Sequence, residues 1–259
     1  MRFSKTLLLT LTVSLCASVL ASCQRRTERP KGTPATNARG SLSTLHGNGV
    51  ITGQVDFEGT PPKRIRVSTA SDPVCAELHP GPMYLEDYAV NPDGSLPNAF
   101  VYVESGLGAG SYPVPKQPAV LTQVGCMFRP HVFGVMAGQP IEIVSKDQTT
   151  HNVDFVPRKN RGWDRSLLPG AAPLYIRFRK PEIMIPVTCN AHRWMYAYVG
   201  VTTNPFYAVT GSDGRFTIAG LPAGVYGLSV WTATFGTQEQ QVVVNENQSS
   251  AVHFVFKLQ

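Results

Sequence analysis

Two features of this sequence predict an all-β chain, and its composition bounds the number of cores. Beyond residue 47 the apolar residues recur at every second position rather than every third or fourth, as in strands with one buried face. The 23 glycines and 21 prolines are scattered rather than clustered, which is what many short strands joined by tight turns require. With 42% hydrophobic and 15% charged residues among 259, the chain can bury one or two cores.

The first strand expected is Val50–Phe57, where Ile51, Gly53, Val55 and Phe57 share a face and Thr52, Gln54 and Asp56 take the other. Gly59 and Pro61-Pro62 stop it, and Arg64–Ser68 offers a second. An irregular stretch with turn signals at Asp72-Pro73 and Asp93-Gly94 leads to Ala99–Glu104, and Ser105–Tyr112 reads as a connection. Strands follow at Ala119–Gln123, Val132–Met136 and Ile141–Val144, then the loop Lys146–Thr150 and the strand His151–Phe155. Arg158–Pro169 is polar and contains Gly and Pro, so it reads as a long excursion. Leu174–Phe178, Ile183–Thr188 and Tyr196–Thr203 complete the middle of the chain. Shorter units close it: Phe206–Thr210, Arg215–Ile218, Tyr226–Trp231, Gln240–Val244 and Val252–Lys257. Asp213-Gly214 between alternating runs is a strong hairpin signal.

Residues 1–22 read as an export signal. Arg2 and Lys5 precede the apolar run Leu7–Leu20, which is too short and wrongly flanked for a spanning helix. The run ends in Leu20-Ala21-Ser22-Cys23, similar to the box at which bacterial lipoproteins are cut before a lipidated cysteine. An ordinary cleaved signal with an incidental cysteine is the alternative. The lipoprotein reading places acyl chains on Cys23, and Gln24 after it favours the outer over the inner membrane. Residues 23–47 carry Arg25, Arg26, Arg29, Lys31 and Arg39 against Glu28, and read as a disordered basic tether that can lean on anionic lipid. From Asn48 onward acidic and basic residues balance, so the net charge of +6 does not mark a nucleic-acid surface.

Chemistry concentrates at Cys189-Asn190-Ala191-His192-Arg193-Trp194-Met195, where thiolate, imidazole and thioether stand three residues apart in turn. A second imidazole, His151, lies upstream beside Asn152. One Cys, two His and a Met are the donors of a blue-copper site, a trigonal plane with a weak axial thioether. Soft sulfur argues against magnesium or calcium, and zinc rarely recruits a thioether. Four protein ligands leave no open position for a substrate. No paired carboxylates, nucleophile elbow, phosphate loop or Ser-His-Asp order accompanies them, so the chain is expected not to be an enzyme.

Cysteine parity bears on the same site. Cys16 leaves with the signal and Cys23 is acylated on the lipoprotein reading, which leaves Cys75, Cys126 and Cys189, an odd number for an oxidising compartment. Metal ligation of Cys189 resolves the parity and leaves Cys75 and Cys126 to form a disulfide. Two alternatives stay open. Cys75 with His79 and Cys126 with His131 could build a second metal site, or Cys189 could pair with one of the other two, which would exclude copper.

Phe128-Arg129-Pro130-His131-Val132, Ala137-Gly138-Gln139-Pro140-Ile141, Lys146-Asp147, His151-Asn152-Val153 and Cys189-x2-His192-x2-Met195 follow one another in an order that resembles the cupredoxin family. The compact ligand loop is similar to that of its amicyanin-like members. The resemblance implies a Greek-key β-barrel or sandwich over residues 106–202, with one copper ion on His151, Cys189, His192 and Met195. It also implies that backbone around Asn152 donates to the Cys189 sulfur and that an exposed edge of His192 is the electron port. Two positions depart from the pattern: Ser145 stands where the family usually has Asn, and Arg193 where short loops often have Pro. Trp194, Tyr196 and Tyr198 read as packing residues rather than redox relays.

Thr210–Tyr226, with its Asp-Gly turn and Leu221-Pro222-Ala223-Gly224-Val225-Tyr226 corner, resembles the carboxypeptidase regulatory-like (transthyretin-like) β-sandwich. That family's first strand has a counterpart in Gly53-Gln54-Val55 and Gly59. Residues 48–105 and 203–259 are therefore expected to form one discontinuous sandwich around the copper domain, with a tandem arrangement as the alternative. The function expected is a periplasmic, lipid-anchored type 1 copper protein that exchanges single electrons with a redox partner protein. A copper carrier, or an envelope binding module without a redox role, is the rival.

Overall fold

The first described strand, β1 (Gly49–Phe57), buries Ile51 and Val55 completely and is an interior strand of its sheet. The structure is a computed structural model that describes residues 47–258. The expected signal peptide, Cys23 and all of the tether but Gly47 lie outside the described residues. After β1 come β2 (Arg66–Val67), the short helix α1 (Pro73–Leu78), β3 (Met83–Tyr84) and a 3₁₀ turn at Glu86–Tyr88. Then follow β4 (Phe100–Ser105), β5 (Ala119–Gln123), β6 (Phe128–Arg129), β7 (Val132–Met136), β8 (Ile141–Ser145) and β9 (His151–Phe155). The centre of the chain ends with β10 (Trp163–Leu167), β11 (Leu174–Ile176), β12 (Glu182–Thr188) and β13 (Tyr196–Thr202). The last strands are β14 (Tyr207–Val209), β15 (Arg215–Leu221), β16 (Gly224–Thr232), β17 (Gly236–Val244) and β18 (Ser249–Phe256). The fold is all-β, as the two-residue alternation predicts, and no helix among the described residues is long and apolar enough to cross a membrane.

Two pairs of sheets account for most strands. One pair takes its strands from both ends of the described chain: β15-β1-β18 in one sheet and β14-β4-β16-β17 in the other. Ile51, Val55, Val101, Leu228, Val230 and Phe254 fill the core between them. β1 runs antiparallel to β15 and parallel to β18. At Gly53 the Phe216 ring lies so close that an added Cβ would meet a ring carbon at 2.5 Å, which no side chain tolerates beside fixed neighbours. The Tyr226 hydroxyl closes the Leu-Pro corner by donating to the Pro222 carbonyl at 2.8 Å.

The other pair holds the candidate ligands. Its five-stranded sheet runs β10-β9-β12-β13-β7 and its four-stranded sheet β11-β8-β5-β6. Leu121, Phe128, Ile143, Val153, Phe155 and Val187 are buried in its core. The two pairs meet at Phe100, Val132 and Met184. Gly200 admits the Phe100 ring there, since a Cβ would stand 2.5 Å from it.

Two expectations need correction. Asp72-Pro73 opens a helix rather than a simple turn: the Asp72 carboxylate accepts from the N–H groups of Val74 and Cys75, and Pro73 occupies the first turn, where its missing N–H is harmless. Arg158–Pro169 is not all excursion, because β10 within it pairs antiparallel with β9. As an edge strand with mostly exposed residues, β10 has no inward-facing alternation to betray it.

Candidate metal centre

His151 is the first residue of β9, and Cys189 directly follows β12, so two neighbouring strands bring an imidazole and a thiol to one end of a sheet. The loop from Cys189 to Met195 folds back on itself. The Cys189 N–H donates to the Met195 carbonyl at 3.1 Å, and the Met195 N–H to the His192 carbonyl at 2.8 Å. This turn directs His192 toward the other two: its Nδ1 lies 3.6 Å from Cys189 Sγ and 2.9 Å from His151 Nδ1. One ligand atom from each of the three lies within 4.8 Å of the others, and all three residues are buried. Cys189 is a free thiol, and Met195 is fully buried in the same core.

The far side of each ring is held by a carboxylate. His151 Nε2 is 2.9 Å from Asp147 Oδ2, and His192 Nε2 is 3.0 Å from Asp72 Oδ2. An ionised carboxylate only accepts, so each Nε2 carries the ring proton and each Nδ1 is left with its lone pair. Those lone pairs face each other across 2.9 Å beside a thiol. Two such nitrogens repel unless a cation, either a proton or a metal ion, is shared between them. Nitrogen and sulfur donors with their second ring nitrogens already engaged fit a soft transition metal. Burial lowers the tendency of His151 to protonate, more than its Asp147 contact raises it, which favours the neutral, ligating form.

The carboxylates are anchored in turn. Asp72 accepts from the N–H groups of Val74 and Cys75 and from the Thr149 hydroxyl. Burial opposes its charge, but hydrogen bonds from Thr149, Cys75, His192 and Val74 outweigh it and bring its carboxyl down to about 2. Asp147 accepts from the N–H groups of Gly125 and Cys126 at 2.7 and 2.8 Å. Both of those residues have positive φ, 62° and 53°, which turns the two donors to one side. Cys75 and Cys126 are joined by a disulfide, so the two anchors are covalently linked.

The remaining residues singled out from sequence fall as follows. The Asn152 side chain reaches the ligand loop: its Oδ1 accepts from the Asn190 N–H at 2.6 Å and its Nδ2 donates to Asp164. The Ser145 hydroxyl is buried without a hydrogen-bond partner. The Trp194 indole N–H donates to the Cys126 carbonyl at 3.1 Å. Burial first, then the nearby Asp87, pushes the phenols of Tyr196 and Tyr198 far above their ordinary range, so both stay neutral. The Cys75/His79 and Cys126/His131 pairs do not form a second metal site. Their sulfurs are bonded together, His79 contacts the Gly125 carbonyl and His131 contacts Asp87 and the Tyr196 carbonyl. The expected exposed edge of His192 is also absent: the residue is 3% exposed and its Nε2 is covered by Asp72. Asp72 is the residue that sequence reasoning missed, and Asp147 entered only as a motif position. Apart from its N-cap position, nothing local marks Asp72.

The model of the carboxypeptidase regulatory-like domain matches residues 195–257. That span includes β13, which is hydrogen-bonded into the ligand-bearing sheet, and omits β1 and β4, which complete the other pair of sheets. Among solved structures the chain is similar to a Cu-containing nitrite reductase from Thermus scotoductus, with 20% identity over 39% of this chain and 26% of that one and a TM-score of 0.32. It therefore spans about a quarter of that enzyme. A purple cupredoxin from Nitrosopumilus maritimus shows 15% identity over 32% of this chain and 99% of that one, TM-score 0.28. A Cu(I) form of an amicyanin mutant shows 17% identity over 40% and 98%, TM-score 0.30. No curated protein matches the chain in sequence. What the side chains offer a metal is independent of these likenesses.

Proposed function

We propose that this chain is a type 1 copper protein that passes single electrons, and that His151, Cys189, His192 and Met195 would hold the ion. The supporting observation is the buried trio of donor atoms, in which both imidazoles turn Nδ1 toward each other, that of His192 also lies beside the thiol, and each Nε2 is held by a carboxylate. Bound copper would supply a one-electron Cu(II)/Cu(I) couple. The chain's own residues would supply rigidity. Asp72 and Asp147 fix the rings, the Cys189–Met195 backbone bonds fix the loop, and burial keeps water from the sulfur. Such a centre has no place for a substrate, which favours a carrier over an enzyme. The export signal and Cys23 add the location: a periplasmic protein held by acyl chains to the outer membrane and serving a redox partner protein.

The test is the visible spectrum of the copper-loaded protein beside Cys189→Ser. An intense thiolate colour in the parent that disappears in the variant is expected. A parent that takes up no copper sinks the proposal.

One observation favours a second reading, copper carriage. Asp72 closes over His192, the edge through which an electron would otherwise leave most directly. A reversible couple in a redox titration supports electron transfer, whereas a colourless, tightly held Cu(I) that resists oxidation supports carriage.

A further inference from the structure

We propose that Asp72 and Asp147 are paired positioning residues, one for each imidazole, mounted on the two halves of the Cys75–Cys126 disulfide, and that their charges bias a bound copper ion toward its oxidised form. This inference rests on the copper reading above and adds what sets the balance between the two oxidation states.

The side chains and backbone groups form a closed circuit. Starting at the disulfide, the Cys126 N–H donates to Asp147, Asp147 holds His151, and His151 faces His192. His192 is held by Asp72, which accepts from the N–H of Cys75, the other half-cystine. The two arms are alike although their parts come from separate regions of the chain; Asp72 lies 120 residues before the ring it holds. Each arm has the same order: half-cystine N–H, carboxylate, Nε2–H, ring, Nδ1. A carboxylate that receives a ring N–H orients that ring, fixes its tautomer and raises its basicity as a ligand.

Charge gives the second half of the proposal. Asp147 is 5% exposed and both histidines 3% or less, so these groups act on one another with little water between them. Asp72 accepts from two backbone N–H groups and the Thr149 hydroxyl, and Asp147 from two backbone N–H groups, so both carboxylates are supplied with donors. With copper bound, the two carboxylates and the Cys189 sulfur as a thiolate would bring three negative charges to the pocket. A Cu(II) ion there would leave one net negative charge and a Cu(I) ion two. A one-electron reduction of bound copper would add charge to a pocket whose own residues are already negative. The arrangement therefore disfavours the reduced form.

Asp72→Asn separates this role from folding. Asn caps a helix as well as Asp does, so α1 keeps its start while the charge and the acceptor facing His192 are lost. In spectroelectrochemical titration of the copper-loaded full chain, the variant is expected to shift the one-electron equilibrium at least tenfold toward the reduced form, a rise of about 59 mV. Asp147→Asn is expected to shift it in the same direction. A smaller or opposite shift in Asp72→Asn, with the thiolate colour retained, overturns the charge proposal and leaves the copper reading intact. If Asp72→Asn instead loses its colour while melting like the parent, restoration of colour by Asp72→Glu supports positioning, and failure to restore it overturns positioning. A second readout needs no metal: ¹⁵N NMR of histidine-labelled apoprotein should find Nε2 protonated on both His151 and His192. Nδ1–H tautomers on both rings would overturn positioning. A wild-type chain without thiolate colour is a failure of the copper reading, and the tautomer measurement still decides the carboxylates' role.

Discussion

Removing the disulfide tests the clamp and the fold together. Cys75 and Cys126 are 51 residues apart in sequence and both fully buried. In the chain-entropy model a loop of that size stabilises the folded state by about 4 kcal/mol. Cys75→Ala combined with Cys126→Ala should lower the unfolding free energy of the metal-free protein by about that much. For a folded body of this size each kcal/mol corresponds to about 2–4 °C, so the melting temperature should fall by about 8–16 °C. Urea titration followed by tryptophan emission is a suitable assay, because the Trp194 indole donates to the Cys126 carbonyl and reports on the same corner. The variant should also bind copper less tightly, since the N–H groups that anchor Asp72 and Asp147 belong in part to the two half-cystines. A loss below about 1 kcal/mol, within the range of an ordinary substitution, would refute the reasoning. So would full destabilisation with unchanged copper affinity, because the bridge would then support the fold but not the centre.

Two further substitutions probe the frame around the site. Glu182 accepts from the backbone N–H groups of Arg158, Lys159 and Asn160, and is 7% exposed. Glu182→Gln should cost about 1.5–3 kcal/mol at pH 7, the range for hydrogen bonds to a charged group. Burial opposes the Glu182 charge, but those N–H donors and the Asn160 side chain outweigh it and leave its carboxyl below the ordinary value of 4.5. Its contribution is therefore complete above that value and fades as pH falls through the lowered one, so parent and variant should converge in denaturation at strongly acidic pH. At the junction of the two sheet pairs, Gly200→Ala should cost about 1–3 kcal/mol by overpacking, measured by thermal melting. Its Cβ would lie 2.5 Å from the buried Phe100 ring and 2.7 Å from the Met184 methyl. A neutral result there would mean that Phe100 moves freely.

How much of this was legible depended on distance along the chain. The β architecture shows in local alternation, as at Ile51, Val55 and Phe57, which are all buried in β1. Cys189 and His192 announce themselves because a donor loop is local, and the strand run before it is plain. Helix α1 was missed because Asp72-Pro73 is equally the start of a turn and an N-cap, and six residues are too few to show a helical period. The cover over His192 could not be read from its own loop. It depends on a carboxylate 120 residues upstream, brought there by a disulfide and a two-strand ribbon. A resemblance carried the idea of an open imidazole edge, and the packing of an unrelated segment removed it.

The pairing of β1 with β18 dictates an order of events during synthesis. Gly49–Phe57 is made before its parallel neighbour Ser249–Phe256, with every other described strand lying between them in the chain. The strands β5 to β13 find their partners within residues 119–202 and need not wait. A nascent chain can thus complete the half that carries His151, Cys189 and His192 while Ile51 and Val55 still lack their β18 neighbour. The slow, non-local closure waits until β18 has been made and can dock beside β1.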